Sequence, residues 1–279
     1  MKIAILLTCH NRKDKTISCL SSLYEAELPS NYVFDTYLVD DGSTDGTSAT
    51  VKNSFPEIKV INGDGNLFWN GGMRLAWKSA VDHDQFDFYI WLNDDTILDK
   101  NALHLLFKDY HEACLISRKE VVITAACRDN YDTKVFSYGG RNDSGPLIPN
   151  GNLQMCKFIN GNLVLVPKKI FEEIGFLSKS YTHAMGDFDY GLRAQLNGFD
   201  CYTTKQFIAT CPTNKGIPAW CNPKNSLRER WKLFHSPRGL NMKEYITFRK
   251  RFWGYKWIKF AIKAYFRVLF PSIYLKLNR

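Results

Sequence analysis

The sequence is short of the patterns that usually declare a function. Its eight cysteines, at positions 9, 19, 114, 127, 156, 201, 211 and 221, form no C-x-x-C pair. That argues against a zinc ribbon or a redox couple and leaves reduced, buried thiols as the expectation. No apolar run is long enough to cross a bilayer, and Met1-Lys2 leads at once into the strand-like stretch Ile3 to Thr8. Neither a membrane-spanning helix nor a secretory leader is therefore expected. The chain has no G-x-G-x-x-G fingerprint and no Gly-Lys-Ser/Thr of a P-loop. Asp41-x-Ser43-x-Asp45-Gly46 opens like a calcium loop, but its twelfth position is Lys52 where a bidentate Glu is needed, which excludes an EF-hand.

Acids are also scarce, 28 against 37 Lys and Arg, and the scarcity is local. From Lys224 to Arg279, 15 Lys/Arg stand against 2 Asp/Glu, a net of +13, which leaves −4 for residues 1–223 in a chain of net +9. The expectation is a mildly acidic body, 1–223, and a basic helical extension, 224–279. Trp253, Trp257, Phe260, Tyr265, Phe266 and Phe270 are interleaved with Lys256, Lys259, Lys263 and Arg267. That mixture suits an anionic membrane surface, with a helix packed on its own domain as the alternative. No nucleic-acid motif accompanies the charge, so nucleic acid is not an expected partner.

What is present begins with length: 279 residues at 45% hydrophobic content can bury a full core in one large domain. Ile3 to Thr8 reads as a buried strand, Lys13 to Glu27 as a helix, and Tyr32 to Val39 as a second strand. A helix at Thr47 to Phe55 and a strand at Ile58 to Asn62 complete a β-α-β-α-β start, and hence a parallel sheet. Acids gather where strands end. Asp40-Asp41-Gly42-Ser43-Thr44-Asp45 follows the second strand, where paired carboxylates can accept N–H groups of a ligand base. Asn93-Asp94-Asp95-Thr96 follows the apolar run Phe86 to Leu92. Adjacent carboxylates repel unless a cation lies between them, so this tip reads either as a divalent-ion site able to hold a diphosphate or as the cap of a helix starting near Lys100.

Between the two tips lies Gly63 to Arg74, read as a loop in which glycine admits close backbone approach and Asn66 and Asn70 address hydroxyls. Tyr138 to Asn152 reads as a Gly/Asn/Pro-rich loop, Phe158 to Pro167 as a strand. Gly186-Asp187-Phe188-Asp189 opens a helix with two acids, which either cap it or supply a catalytic base.

Four blocks in order then carry a resemblance: Thr8-Cys9-His10-Asn11-Arg12, Asp40 to Asp45, Gly65 to Gly72 with Asn93 to Thr96, and Gly186 to Arg193. Over residues 1 to about 200 the chain resembles the family 2 inverting glycosyltransferases, especially bacterial rhamnosyl- and galactofuranosyltransferases of cell-surface polysaccharide synthesis. Leu227 to Leu240 also looks like one subgroup's tail. The resemblance implies an α/β fold of GT-A type, a Rossmann-like, mostly parallel sheet with flanking helices. It further implies transfer of one sugar from a nucleotide-diphosphate donor, UDP- or dTDP-linked, to a lipid-linked or polysaccharide acceptor. The enzyme would work in the cytoplasm, peripherally at the inner face of the plasma membrane.

Carried over by position, Thr8, His10, Arg12, Asp40 and Asp41 line the nucleotide pocket, with Asp41 meeting the base. Asn66, Gly71 and Gly72 lie near ribose and sugar, and Asn93 and Asp94 near the diphosphate. Asp95 is the ligand of a divalent Mn or Mg ion, and Asp187 deprotonates the acceptor hydroxyl, with Asp189 able to exchange roles with it. Two positions depart from the family pattern. Gly186 stands where the family has Glu, and Cys211 where a metal-binding His often lies, leaving Cys211, His183 or water as the third ligand. Two other classes fit parts of the pattern. One is a catalytically silent nucleotide-sugar-binding module. The other is a sugar nucleotidyltransferase, which needs a glycine-rich loop where this chain has His10-Asn11-Arg12.

Overall fold

The computed structural model describes residues 1–130, 133–213 and 216–277. Asn278 and Arg279, the end of the basic extension, lie outside them. The strands are β1 Lys2–Cys9, β2 Val33–Asp40, β3 Lys59–Asn62, β4 Phe88–Leu92, β5 Ile97–Leu98, β6 Val121–Arg128, β7 Phe136–Tyr138, β8 Arg141–Asn142, β9 Gly145–Pro146, β10 Gln154–Met155, β11 Leu163–Pro167 and β12 Asp200–Thr210. The helices are α1 Lys13–Glu25, α2 Thr47–Ser54, α3 Phe68–His83, α4 Ala102–Ser117, α5 Lys168–Ile174, α6 Gly186–Leu196, α7 Leu227–Phe234, α8 Met242–Trp253, α9 Trp257–Leu269 and α10 Pro271–Leu277. Two compact units result. The first holds Met1–Ser178 and Asp187–Thr213, the second Lys179–Gly186 and Asn214–Arg279.

The first unit is built on one sheet in the order β10-β12-β6-β11-β4-β1-β2-β3. β1 pairs in parallel with both β2 and β4, and β2 with β3. β11 runs antiparallel between β4 and β6, so the sheet is mixed. Both faces are covered. Ile3, Ile5 and Leu7 enter one apolar cluster with Leu20, Ile90 and Leu106, while Ala4 and Leu6 enter the other with Tyr37, Met73, Trp77 and Trp91. A strand with a period of two and two dry faces must be apolar at every position, which is why β1 reads as an unbroken hydrophobic run.

The chain leaves β1 toward β2 on one side and reaches β4 on the other. That reversal opens a crevice beyond the strands' C-terminal ends. Backbone bonds knit the tips together: Asp41 N–H donates to Cys9 O at 2.9 Å and Gly63 N–H to Asp40 O at 2.8 Å.

Two expectations change here. Residues 68–74 are helix, because α3 begins at Phe68, and Gly71 and Gly72 are buried in its first turns. A methyl carbon on Gly72 would come within 2.1 Å of Thr8 Oγ1, so glycine lets α3 lie directly on the end of β1. The Tyr138 to Asn152 stretch holds the short β8–β9 hairpin as well as loop.

The second unit has its own small core of Trp220, Phe234, Met242, Ala261, Ala264 and Val268. α7 is started by a full capping box: Ser226 Oγ accepts from Glu229 N–H, and the Glu229 carboxylate accepts from Ser226 N–H. Among the described residues no helix is long and apolar enough to cross a membrane.

Candidate active site

The Asn93-Asp94-Asp95 tip follows β4. α4 starts from Asn101, and no side chain caps it. The helix-cap reading of Asp94 and Asp95 therefore falls, because their partner is a cation. Arg12 donates through one Nη nitrogen to Asp94 Oδ1 at 3.0 Å and to Asp95 Oδ2 at 2.9 Å. Asp94 is only 5% exposed, and its Oδ2 is sealed from solvent with no hydrogen-bond partner. Burial pushes the Asp94 carboxyl up to about 6 against the opposing pull of Arg12. Asp95 remains partly open, and its Oδ1 takes the Cys211 thiol at 3.6 Å.

The other acidic tip is turned inward. Asp41 Oδ1 accepts from Gly65 N–H at 2.8 Å and Oδ2 from Phe68 N–H at 2.9 Å. Phe68 has φ +52°, a costly backbone for an aromatic residue, and Asp41 is what holds it there. Asp40 accepts from Ser43 N–H at 2.9 Å and from the Ser48 hydroxyl. His10 Nδ1 lies 2.6 Å from Asp41 O and must donate, since a carbonyl only accepts. Its Nε2 then accepts from Asn11 Nδ2 at 3.2 Å. Asn66 is exposed at the loop's edge, its N–H on Asp64 Oδ1 at 2.8 Å. The structure thus gathers Thr8, His10, Arg12, Asp40, Asp41 and Asn93 to Asp95 at neighbouring strand tips. A side chain on Gly71 would press on Leu67 and one on Gly72 on Thr8, so the close packing of α3 on the end of β1 requires glycine at the latter.

Asp187 stands in the first turn of α6. Its Oδ2 accepts from Gly161 N–H at 3.0 Å and its Oδ1 from Phe188 N–H at 2.8 Å. Burial raises its carboxyl to about 6, against the pull of those amides. Asp189, fully buried, is bound instead by Arg193 Nε at 2.7 Å, and Arg193 donates on to Ile174 O and Phe176 O. That ion pair fastens α6 to the end of α5 and leaves Asp187 the acid at hand.

Sequence reasoning missed the piece that joins these groups. Asn93 N–H donates to Asn162 O at 2.9 Å. Asn162 Nδ2 donates to Thr96 Oγ1 and to Cys211 Sγ, each at 3.1 Å. Trp69 Nε1 donates to Asn93 Oδ1 at 2.6 Å, and its ring covers Gly161 so closely that a methyl carbon there would lie 2.4 Å away. One bonded chain therefore runs from Asp187 through Gly161-Asn162 to Asp95 and Arg12. Its sequence signal was the polar Asn160-Gly161-Asn162 step ahead of the apolar run Leu163 to Val166.

A divalent cation can be tested against this donor set. Among the described residues no three His, Cys, Asp or Glu converge as a cage. Cys211, whose thiol burial pushes up to about 12, donates to Asp95 as a protonated group. His183, an exposed residue, belongs to the second unit. The orphaned Asp94 oxygen and the open Asp95 carboxylate nonetheless fit a hard ion that takes one or two carboxylates from protein and the rest from phosphate and water.

A crevice of acids and backbone amides lies at the switch point of a mostly parallel sheet, the place where open α/β folds carry their ligand sites. Residues 4–138 match the family described as Glycosyl transferase family 2. No curated protein matches the chain. Among solved structures, S. aureus TarS 1-349 aligns at 15% identity and TM-score 0.54, covering 76% of this chain and 60% of that one. TarS 1-349 in complex with UDP-GlcNAc aligns at 14% and 0.54, covering 88% and 67%. The mannosyltransferase PcManGT from Pyrobaculum calidifontis, in complex with GDP-Man and Mn²⁺, aligns at 12% and 0.55, covering 94% and 73%. The chain spans about three-fifths of the length of TarS 1-349. At these identities the likeness is one of fold, and the fold is GT-A.

Proposed function

We propose that this protein transfers one sugar, with inversion, from a nucleotide-diphosphate donor to a hydroxyl of a lipid-linked or polysaccharide acceptor in surface glycan synthesis. The observation that carries the reading is the bonded chain linking Asp187 to the Asp94-Asp95-Arg12 cluster, because inverting transfer needs a base and a leaving-group site in one rigid frame. The family match over residues 4–138 and the donor complexes of the structural relatives support it.

In this reading the turns after β1 and β2, with Thr8, His10, Asp40 and Asp41, frame the nucleotide, and Asn66 meets ribose or sugar. Arg12, its side chain 44% exposed, turns its remaining N–H groups to the diphosphate. A divalent ion on Asp95, with Asp94 beside it, would supply further charge to stabilise the departing nucleoside diphosphate. Asp187 takes the acceptor's proton. Two backbone amides fix its oxygens, and a value near 6 leaves it ionised at neutral pH yet basic enough to act. The domain division proposed is a catalytic body over 1–223 and a basic helical extension over 224–279.

The test is Asp187→Asn. A positioned base contributes roughly 10²- to 10⁴-fold, so sugar transfer should fall by at least about a hundredfold. Affinity for UDP- and GDP-sugars, measured by thermal shift with Mn²⁺, should stay within about twofold. Unchanged turnover would sink the base assignment. Donor binding in the wild type with no donor consumed would favour the nucleotide-sugar-binding module.

A further inference from the structure

The second unit carries far more positive charge than it neutralises. Its stretch from Lys224 onward has two acids, and both are committed locally. Glu229 closes the capping box with Ser226, and Glu244 accepts from Thr182 N–H at 2.9 Å and from the Thr182 hydroxyl. Arg249, Lys263 and Arg267 make no ion pair among the described residues. Yet these three cations line one cavity of about 340 Å³, walled by Trp220, Phe260 and Tyr274. The rings fix them in place. Arg249 lies 4.1 Å from the centroid of Phe260, Arg267 4.9 Å from Trp220, and Lys263 5.8 Å from Tyr274. Arg249 Nε is sealed from solvent without a hydrogen bond. Like charges held together around a cavity repel one another, and an anion in their midst relieves that.

A second concavity adjoins the first. A groove of about 600 Å³ shares Phe260 and Lys263 with it, is floored by Trp253, Ile262 and Phe266, and is rimmed by Lys256 and Lys259. Ile262 is 64% exposed there. An exposed apolar trough that opens onto a cationic cavity matches a ligand with two chemically different ends. We propose that the second unit binds a single amphiphile, a phosphate or diphosphate on a long apolar chain. The head lies among Arg249, Lys263 and Arg267, and the chain lies along the groove. This rests on the lipid-linked acceptor reading above and assigns that acceptor's phosphate end a site.

The experiment follows the tryptophan fluorescence of the whole protein, since Trp220 and Trp253 line the two concavities. The probes are farnesyl phosphate, farnesol and inorganic phosphate. Farnesyl phosphate should bind at least about tenfold more tightly than either fragment, because both ends contribute. Arg249→Gln with Arg267→Gln should weaken it by about tenfold or more. Ile262→Asp, on an exposed side chain that puts folding at little risk, should weaken it as well. Both variants should bind UDP as the wild type does.

Three outcomes overturn the proposal: inorganic phosphate binding as tightly as farnesyl phosphate, the double variant binding normally, or Ile262→Asp binding normally. Nucleotide release from a donor sugar, measured separately, keeps the two readings apart. Release without farnesyl phosphate binding sinks the lipid site alone, and binding without release sinks the transferase alone.

Discussion

Asp94 shows how far single residues could be read. Its place after a buried strand was legible, since clustered acids at the end of an apolar run are visible in the sequence. Its cation was not, because Arg12 is 82 residues away and only the β1–β4 pairing brings it near. The result is a carboxylate with one oxygen on Arg12 and one buried without a partner, titrating at about 6. An unfolded Asp titrates near 3.9, so between the two values the folded protein holds this proton and the unfolded chain releases it. Stability from this group is therefore complete below about pH 4 and lost as pH rises toward 6, by up to about 3 kcal/mol. Asp94→Asn removes the titration. Denaturant unfolding of the two proteins from pH 4 to 7 should show wild-type stability falling relative to the variant by up to that amount. A constant difference across the range would mean that Asp94 is ionised throughout.

At the scale of elements, β1 and β4 were readable because two dry faces leave almost no polar position to mislead. α3 was not readable at its start. Gly71-Gly72 carries poor helix propensity, and Asn66 to Asn70 has the composition of a turn. Packing overrides propensity there: Asp41 fixes Phe68, and Gly72 lies on Thr8. Nor did the antiparallel course of β11 show in the sequence, since its run Leu163 to Pro167 is equally buried in either direction. Without that course, the approach of Asn162 to Asn93 was invisible. Gly72→Ala should therefore cost about 2 kcal/mol or more through overpacking against β1, although alanine is the better helix former. Adding Thr8→Ala to Gly72→Ala removes Oγ1, the nearest clash, and should recover part of the loss. A double-mutant cycle by denaturant unfolding reads the coupling, and additive effects would place the strain elsewhere.

For the whole molecule, charge was more legible than architecture. The sign change near residue 224 was countable, but the packing of α7, α8 and α9 around Phe234 and Val268 was not. Of the two readings the composition offered, the packed helix is what these helices form, and the membrane surface stays a proposal for their outer face. The inner face of α9 buries Ala261, Ala264 and Val268 as core, while Ile258 and Ile262 are exposed beside Lys256 and Lys259. Removing the extension would destroy that core, so membrane association is better tested on its outer face. A basic residue near an anionic bilayer contributes about 1 kcal/mol. Lys256→Gln, Lys259→Gln and Lys276→Gln together should then weaken sedimentation with phosphatidylglycerol vesicles by about a hundredfold. Raising salt from 0.1 to 1 M shortens the screening length from about 10 to about 3 Å and should abolish wild-type binding, while phosphatidylcholine vesicles should bind little at either salt. Equal binding to both vesicle types would mean that the exposed isoleucines act alone, and the excess of +13 would then have to answer to the phosphate cavity rather than to a membrane.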